Sequence, residues 1–142
     1  MKLRVVLLKE SPLRKLVIMN NKDRNVLALA YIGDAVYEVY IRDYLVKQGI
    51  EKVKKLQEEA VNYVSAKSQA KYLQTLLDKN YFNETELEVF YRARNHKSSR
   101  HPKNTDIITY KYSTGFEAII GYNYLDGNID RINDIIKMII GD

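Results

Sequence analysis

The sequence contains no cysteine and no tryptophan, and only two prolines and six glycines among 142 residues. Without cysteine, disulfide bonds and thiolate metal ligands are excluded, and a reducing compartment is permitted. So little proline and glycine argues against a collagen-like or disordered chain. No apolar run approaches the roughly 20 residues of a membrane-spanning helix, so we expect no membrane partner. Lys9 and Glu10 interrupt the apolar residues near the start, which argues against a signal peptide.

Basic residues are present in slight excess, and they are concentrated in two segments. The net charge is +5, yet residues 1–24 contain seven basic and two acidic side chains, and residues 92–103 contain five basic and no acidic ones. The remainder of the chain is therefore net negative. A basic segment without compensating acids can bind a polyanion through counterion release. The alternative is that residues 92–103 form a solvated loop.

Apolar residues recur with helical spacing along nearly the whole chain, which predicts an all-α bundle of short helices. Ser65 is the expected N-cap of one helix, and Asn83 with Glu86 resembles a capping box at the start of another. The predicted helices are at about 25–47, 51–63, 66–79, 83–93, 106–125 and 130–140, with a loop at 94–105. We expect residues 1–24 to be a basic N-terminal extension and residues 25–142 to form one domain.

Twelve tyrosines are an unusual number for this length. A phenol ring can be buried while its hydroxyl stays in water, so these residues favour helix edges and interfaces. The first predicted helix contains Tyr31, Tyr37, Tyr40 and Tyr44, which indicates a seam between helices or subunits. Stacking on nucleic-acid bases is a second interpretation.

Two carboxylates interrupt apolar helical stretches. Asp34 lies within residues 27–40 and Glu117 within residues 115–125. We expect both acids to be buried and to meet in the core, where a carboxylate needs a cation, a cap or a metal. Oxygen ligands without cysteine favour a hard cation such as Mg²⁺, whereas the alternative pairs each acid with a nearby lysine or arginine. Glu38 follows Asp34 by one helical turn on the same face.

These two stretches resemble the two signature motifs of the ribonuclease III family. Residues 29–36, Leu-Ala-Tyr-Ile-Gly-Asp-Ala-Val, are similar to the family's L-E-F-L-G-D-[SA]-V. Residues 116–121, Phe-Glu-Ala-Ile-Ile-Gly, followed by Tyr-Leu-Asp-Gly at 124–127, are similar to F-E-A-L-I-G-A-I-Y-L-D-x-G. The resemblance covers about residues 25–140 and implies a ribonuclease III-like endonuclease domain.

Within that family, the sequence is most similar to the bacterial Mini-III branch, which has the catalytic domain without a double-stranded-RNA-binding domain. The basic segment from Arg92 to Ser98 and the residues from Pro102 to Asp106 carry this part of the resemblance. Of the four acids in the general family's active site, the first falls on Ala30 and the third on Thr114. Asp34 and Glu117 match the other two, and such a reduced set is a feature of this branch.

The resemblance implies a cytoplasmic, homodimeric, Mg²⁺-dependent endoribonuclease that cleaves double-stranded RNA and matures precursor 23S ribosomal RNA. Asp34 and Glu117 are implied as the catalytic and metal-binding residues, and Glu38 as a supporting acid. The candidate RNA-binding residues are Arg92, Arg94, Lys97, Ser98, Arg100 and Lys103, with Lys67, Lys71 and Lys111 as further candidates.

Two other interpretations remain open from the sequence. Because two of four acids are missing, the chain could be a non-catalytic protein that binds double-stranded RNA on the same fold. It could also be a helical interaction module with a solvated basic loop. The first predicts RNA binding without Mg²⁺-dependent cleavage, and the second predicts no RNA affinity.

Overall fold

The described residues of this computed structural model, 19–97, 103 and 105–141, form an all-helical bundle without a β-strand. This confirms the predicted fold class. A turn of 3₁₀ helix at Asn21–Asp23 precedes α1 (Val26–Lys47), α2 (Val53–Val64), α3 (Ala66–Asp78), α4 (Glu84–Arg94), α5 (Ile107–Leu125) and α6 (Ile129–Ile140). Residues 1–18 of the expected extension lie outside the described residues, as do Ser98 and Arg100.

Helix ends occur where the capping signals predict them. The Ser65 hydroxyl accepts a hydrogen bond from the Ser68 amide at 3.2 Å and caps α3. At the start of α4, the Asn83 side chain accepts from the Glu86 amide and the Glu86 carboxylate accepts from the Asn83 amide, both at 2.9 Å. Each bond satisfies an amide that has no partner within its helix.

No helix in the described part of the chain is long and apolar enough to cross a membrane.

Helix α5 lies at the centre of the bundle and packs against α1, α3, α4 and α6. The predicted stripe on α1 faces it, since Val26, Leu29, Gly33 and Val36 are buried. The largest fully buried apolar side chains of the core are Tyr37, Phe90, Phe116, Leu29, Ile41, Leu73, Ile119, Ile120, Ile132 and Ile135.

The four tyrosines of α1 do not share one seam. Tyr37 is completely buried, where its ring meets the Phe116 ring edge to face at 5.1 Å and its hydroxyl donates to the Tyr63 carbonyl at 2.8 Å. Tyr31 is 84% exposed. Tyr40 and Tyr44 are partly buried against the core. The phenols of this helix therefore divide between the core and the surface.

The backbones of α1 and α5 touch where the helices cross, and a glycine on each helix allows it. A Cβ atom on Gly33 would lie 1.7 Å from the Glu117 carbonyl oxygen. One on Gly121 would lie 1.9 Å from the Leu29 carbonyl oxygen. Both distances are far inside van der Waals contact, so only glycine permits this approach. The crossing therefore sets Asp34, the residue after Gly33, beside Glu117.

A second contact in the bundle is a buried ion pair that joins α4, α5 and α6. The Glu86 carboxylate is inaccessible to solvent and accepts from Arg131 Nε at 2.9 Å and Nη2 at 2.6 Å, and from Asn123 Nδ2 at 2.9 Å. The Arg131 guanidinium also stacks over the Tyr81 ring at 4.2 Å. Burial raises the pKa of Glu86, but hydrogen bonds from Arg131, the Asn83 amide and Asn123 outweigh it, and the net pKa is lowered. Every charge in this cluster is compensated.

The helix crossing yields a stability prediction. Gly121→Ala should lower the free energy of unfolding by about 3 kcal/mol or more, because overpacking costs roughly 1–3 kcal/mol even where side chains can adjust. Here the obstructing atom is a backbone carbonyl. Gly49→Ala is the control: its Cβ would have open space, but its φ of +91° makes alanine cost about 1–2 kcal/mol. Urea unfolding measures both, and equal losses would contradict the backbone contact.

Candidate active site

The side chains of Asp34 and Glu117 lie next to each other at the edge of the α1–α5 crossing, close enough for their carboxyl groups to hydrogen-bond. Glu117 is partly buried, as expected, but Asp34 is exposed, so the expectation that both acids are buried is wrong for Asp34. The apolar neighbours suggest burial all around α1. Only one side of this helix is covered, however, and Tyr31 and Val39 are themselves 84% and 47% exposed.

Among the residues that the structure describes, neither Asp34 nor Glu117 forms an ion pair with a lysine or arginine. Arg42, on the same helix as Asp34, forms an ion pair with a different acid: its Nε lies 3.0 Å from Glu38 Oε2. The alternative in which a basic side chain neutralises each acid therefore describes Glu38 and not the central pair.

Burial, together with the neighbouring negative charge, raises the pKa of Glu117 to about 8. Burial is the largest cause, followed by the charge of Asp34 and the hydrogen bond between the two carboxyl groups. Glu38 adds a smaller effect, and a hydrogen bond from Gln69 acts in the opposite direction. A carboxyl with a strongly raised pKa beside a second acid indicates a functional site, because a cation placed between them would relieve the repulsion.

A buried amide that the sequence analysis missed borders Glu117. Gln69 is 1% exposed, and its Nε2 lies 3.4 Å from Glu117 Oε2 and 3.2 Å from the Val64 carbonyl oxygen. Its Oε1 accepts a hydrogen bond from the Ser113 hydroxyl at 2.7 Å. The signal was available, because Gln69 precedes the fully buried Leu73 by one turn and so lies on the inner face of α3.

The two acids can serve as ligands of a divalent cation. Within the described residues, no group of three or more His, Cys, Asp or Glu side chains is placed to hold a metal ion. Ala30 and Thr114, where the sequence lacks acids, are both buried, and the Thr114 hydroxyl donates to the Tyr110 carbonyl at 3.0 Å. The oxygen chemistry and mutual repulsion of Asp34 and Glu117 fit a hard divalent ion, with water or substrate oxygens completing its coordination.

The candidate RNA-binding residues differ in availability. Arg94 is exposed at the end of α4, where its guanidinium stacks over the Tyr91 ring at 4.9 Å. Lys97 and Lys103 are exposed as well. Of the further candidates, Lys67 and Lys71 are exposed on α3 and Lys111 is partly buried.

Arg92 has a different environment from the rest of this set. Its side chain is partly buried, and its two terminal nitrogens donate to the carbonyl oxygens of Lys22 and Arg24. These contacts hold the 3₁₀ turn against α4. These hydrogen bonds therefore give Arg92 a structural role.

The basic segment begins near the acid pair. His96, just beyond α4, and Thr114 of α5 line the same small cleft together with Lys111. Thr114 lies one helical turn before Glu117. A polyanion bound at the basic segment would therefore approach the turn of α5 that precedes the acids.

Comparison with known proteins identifies the family to which the chain belongs. A family model described as the ribonuclease III domain matches residues 27–128. Mini-ribonuclease 3 of Streptococcus pneumoniae is 43% identical over 116 residues, which are 82% of this chain and 91% of that protein. Mini-ribonuclease 3 of Enterococcus faecalis is 45% identical over 119 residues, 84% of this chain and 90% of that protein. A crystal structure of a Fusobacterium nucleatum protein superposes with a TM-score of 0.78 at 29% identity, covering 88% of this chain and all of that one.

The chain therefore belongs to the ribonuclease III family. Within that family it falls in the Mini-ribonuclease III branch, because its curated relatives from several bacteria carry that name at more than 40% identity over most of both chains. The family assignment made from the two motifs is confirmed.

The raised pKa of Glu117 predicts a pH-dependent effect on stability. The fold holds the Glu117 proton up to a pH of about 8, whereas the unfolded chain releases it near the ordinary value of 4.5, so stability falls as the pH rises between these values. Glu117→Gln mimics the protonated form and should therefore be more stable than the wild type at pH 8, with an advantage that shrinks towards pH 5. Thermal unfolding without divalent ions measures this. An advantage of equal size at both pH values would contradict the assigned pKa.

Proposed function

We infer that this protein is an endoribonuclease that hydrolyses phosphodiester bonds in double-stranded RNA and that it uses Mg²⁺. The observation that carries the proposal is the pair formed by Asp34 and Glu117, which lies uncompensated by any described basic side chain on a ribonuclease III fold. The adjacent basic segment supports a polyanionic substrate.

Asp34 and Glu117 would hold Mg²⁺ between their carboxylates, one from each of the crossed helices. The ion, when bound, supplies positive charge that lowers the pKa of water and neutralises charge developing on the phosphate. The protein's own part is positioning: the glycine contact fixes the separation of α1 and α5 and thereby that of the two acids. Glu38, which pairs with Arg42, would support the site from one helical turn away. With only two protein carboxylates, RNA phosphate oxygens must complete the coordination, so metal binding without RNA should be weak.

Comparison of two glutamates within this bundle supports a functional role for the acid pair. Glu86 and Glu117 both lie between packed helices, yet the pKa of Glu86 is lowered and that of Glu117 is raised. Arg131 and two further hydrogen-bond donors compensate Glu86, as a structural acid requires. Glu117 faces a second carboxylate instead. Fold stability alone gives no reason for that arrangement.

Exposed cations of the basic segment would bind the RNA duplex. A-form RNA is recognised by its shape and through its phosphates and 2′-hydroxyls, which calls for flexible cations more than for a base-reading surface. Arg94, Lys97 and Lys103 meet that need, whereas Arg92 would act by anchoring the segment. Ser98 and Arg100 remain candidates from the sequence.

We propose that the protein acts as a homodimer, with one strand cut at each site. Exposed apolar residues near the start of α1 and of α5 support an interface there: Leu27 is 39% exposed, Tyr31 84% and Ile107 39%. Leu27 and Ile107 line one cleft, so they form a continuous patch. Isolated exposed apolar residues are ordinary, but exposed apolar residues that share a cleft suit a two-fold contact. Precursor 23S ribosomal RNA in the cytoplasm is the substrate and location we propose.

Removing either acid should abolish cleavage without abolishing binding. Asp34→Asn and Glu117→Gln should each lower kcat at least about 100-fold on a perfect RNA duplex in Mg²⁺, because each loses a metal-binding charge worth several kcal/mol. Asp43→Asn is the matched control, since Asp43 is an exposed acid of the same helix that pairs with Lys47. Gel analysis of cleavage and a parallel binding assay give the measurements. Binding by the wild type without Mg²⁺-dependent cleavage would instead establish the non-catalytic alternative.

The basic segment should determine the salt dependence of binding. Changing both Arg94 and Lys97 to alanine should weaken duplex binding and flatten the plot of log affinity against log salt by roughly one for each phosphate that is no longer neutralised. A double change at the exposed Lys47 and Lys79 removes the same charge elsewhere and should leave the slope nearly unaltered. Affinity measured at several salt concentrations tests this. Equal slopes for the two double variants would remove the segment from the RNA-binding surface.

A further inference from the structure

The amide of Gln69 has an unusual position for a side chain on the inner face of α3. It is almost completely buried, and its hydrogen bonds reach three partners on two other helices: the Val64 carbonyl at the end of α2, and the Ser113 hydroxyl and the Glu117 carboxylate of α5. The neighbouring inward positions on this helix are taken by Leu73 and Leu76. Burying an amide there is costly unless its donors and acceptor are all used.

We propose that Gln69, held by Ser113, is a positioning residue that orients the Glu117 carboxylate for metal binding. This inference rests on the proposed function and deepens it. Gln69 touches neither the substrate nor the metal; it acts through Glu117. Nothing in the two signature motifs includes it.

The hydrogen bonds allow only one orientation of the amide. Its two N–H groups point at two acceptors, the Val64 carbonyl oxygen and Glu117 Oε2, while its oxygen accepts from the Ser113 hydroxyl. Rotating the amide by half a turn would place its oxygen against the Val64 carbonyl oxygen, which only accepts. The Val64 carbonyl, together with the hydrogen bond from Ser113, therefore keeps the donor side of Gln69 towards Glu117.

This arrangement also separates the roles of the two Glu117 oxygens. Oε2 receives the Gln69 N–H at 3.4 Å, which is a long hydrogen bond. The remaining oxygen would be available to a cation that Glu117 shares with Asp34. Residues that hydrogen-bond to a metal ligand commonly change metal affinity by roughly 10–100-fold. Because this hydrogen bond is long, we expect the effect of Gln69 to be at or below the lower limit of that range.

Gln69→Met is the principal test, because methionine fills a similar volume without an amide. It should weaken Mn²⁺ binding to the free protein about three- to tenfold, measured by the electron paramagnetic resonance signal of the free ion, and raise the Mg²⁺ concentration for half-maximal cleavage by a similar factor. Duplex affinity without divalent ions and kcat at saturating Mg²⁺ should stay close to wild type. Gln74→Met is the matched control on the same helix, where Gln74 donates to Asp78 at 2.8 Å on the exposed side.

The readouts separate positioning from a purely structural role. Loss of folded protein would lower the cleavage amplitude without moving the Mg²⁺ midpoint. If Gln69→Met does not fold, Ser113→Ala decides instead: it keeps the Gln69 donors but frees their orientation, so it should shift both metal midpoints about two- to threefold in the same direction. Midpoints equal to those of the Gln74→Met control would overturn the inference. Absence of metal-dependent cleavage by the wild type would overturn the proposed function. The Mn²⁺ titration would still test the role of Gln69, because it measures metal binding without cleavage.

Discussion

The contact between the backbones of α1 and α5 is the constraint on which the rest of the site depends. Gly33 lies against the Glu117 carbonyl and Gly121 against the Leu29 carbonyl, so neither helix can shift outward without opening the core or inward without a clash. Asp34 follows Gly33 directly in the chain. Rigid backbone contact therefore sets the separation of the two backbone positions from which these acids project. This is the most reliable way to hold two repelling groups together.

Glu86 and Glu117, two glutamates that lie between packed helices, have opposite electrostatic environments. Around Glu86, an arginine and several hydrogen-bond donors compensate the charge, and the pKa falls. Around Glu117, the nearest charged group is another carboxylate, and the pKa rises. The first cluster joins three helices and stabilises them. The second is a local cost that the surrounding core has to offset, which is common at functional sites.

The sequence predicts the helices well and the site in part. Helix bounds, the Ser65 cap and the Asn83–Glu86 box depend on local signals, so they can be predicted without knowledge of the packing. The prediction that Asp34 is buried is wrong because apolar composition does not reveal which side of a helix lacks a partner. In the sequence Arg92 resembles a free cation, because the carbonyls that bind it lie about 70 residues away in the chain. The burial of Gln69 beside Glu117 is not predicted, because a single polar residue at an inward position is a weak signal of a buried polar contact.

A two-acid site also has a consequence for how metal and substrate are coupled. Ala30 and Thr114 are buried, so no side-chain oxygen of theirs reaches an ion at the surface, and Thr114 directs its hydroxyl to Tyr110. The ligands that these positions lack must come from water or from the phosphate backbone. Metal and RNA should therefore bind with positive cooperativity, because each completes the binding site of the other. With so few protein ligands, the orientation of each carboxylate would matter more, which is the effect that the proposed role of Gln69 supplies.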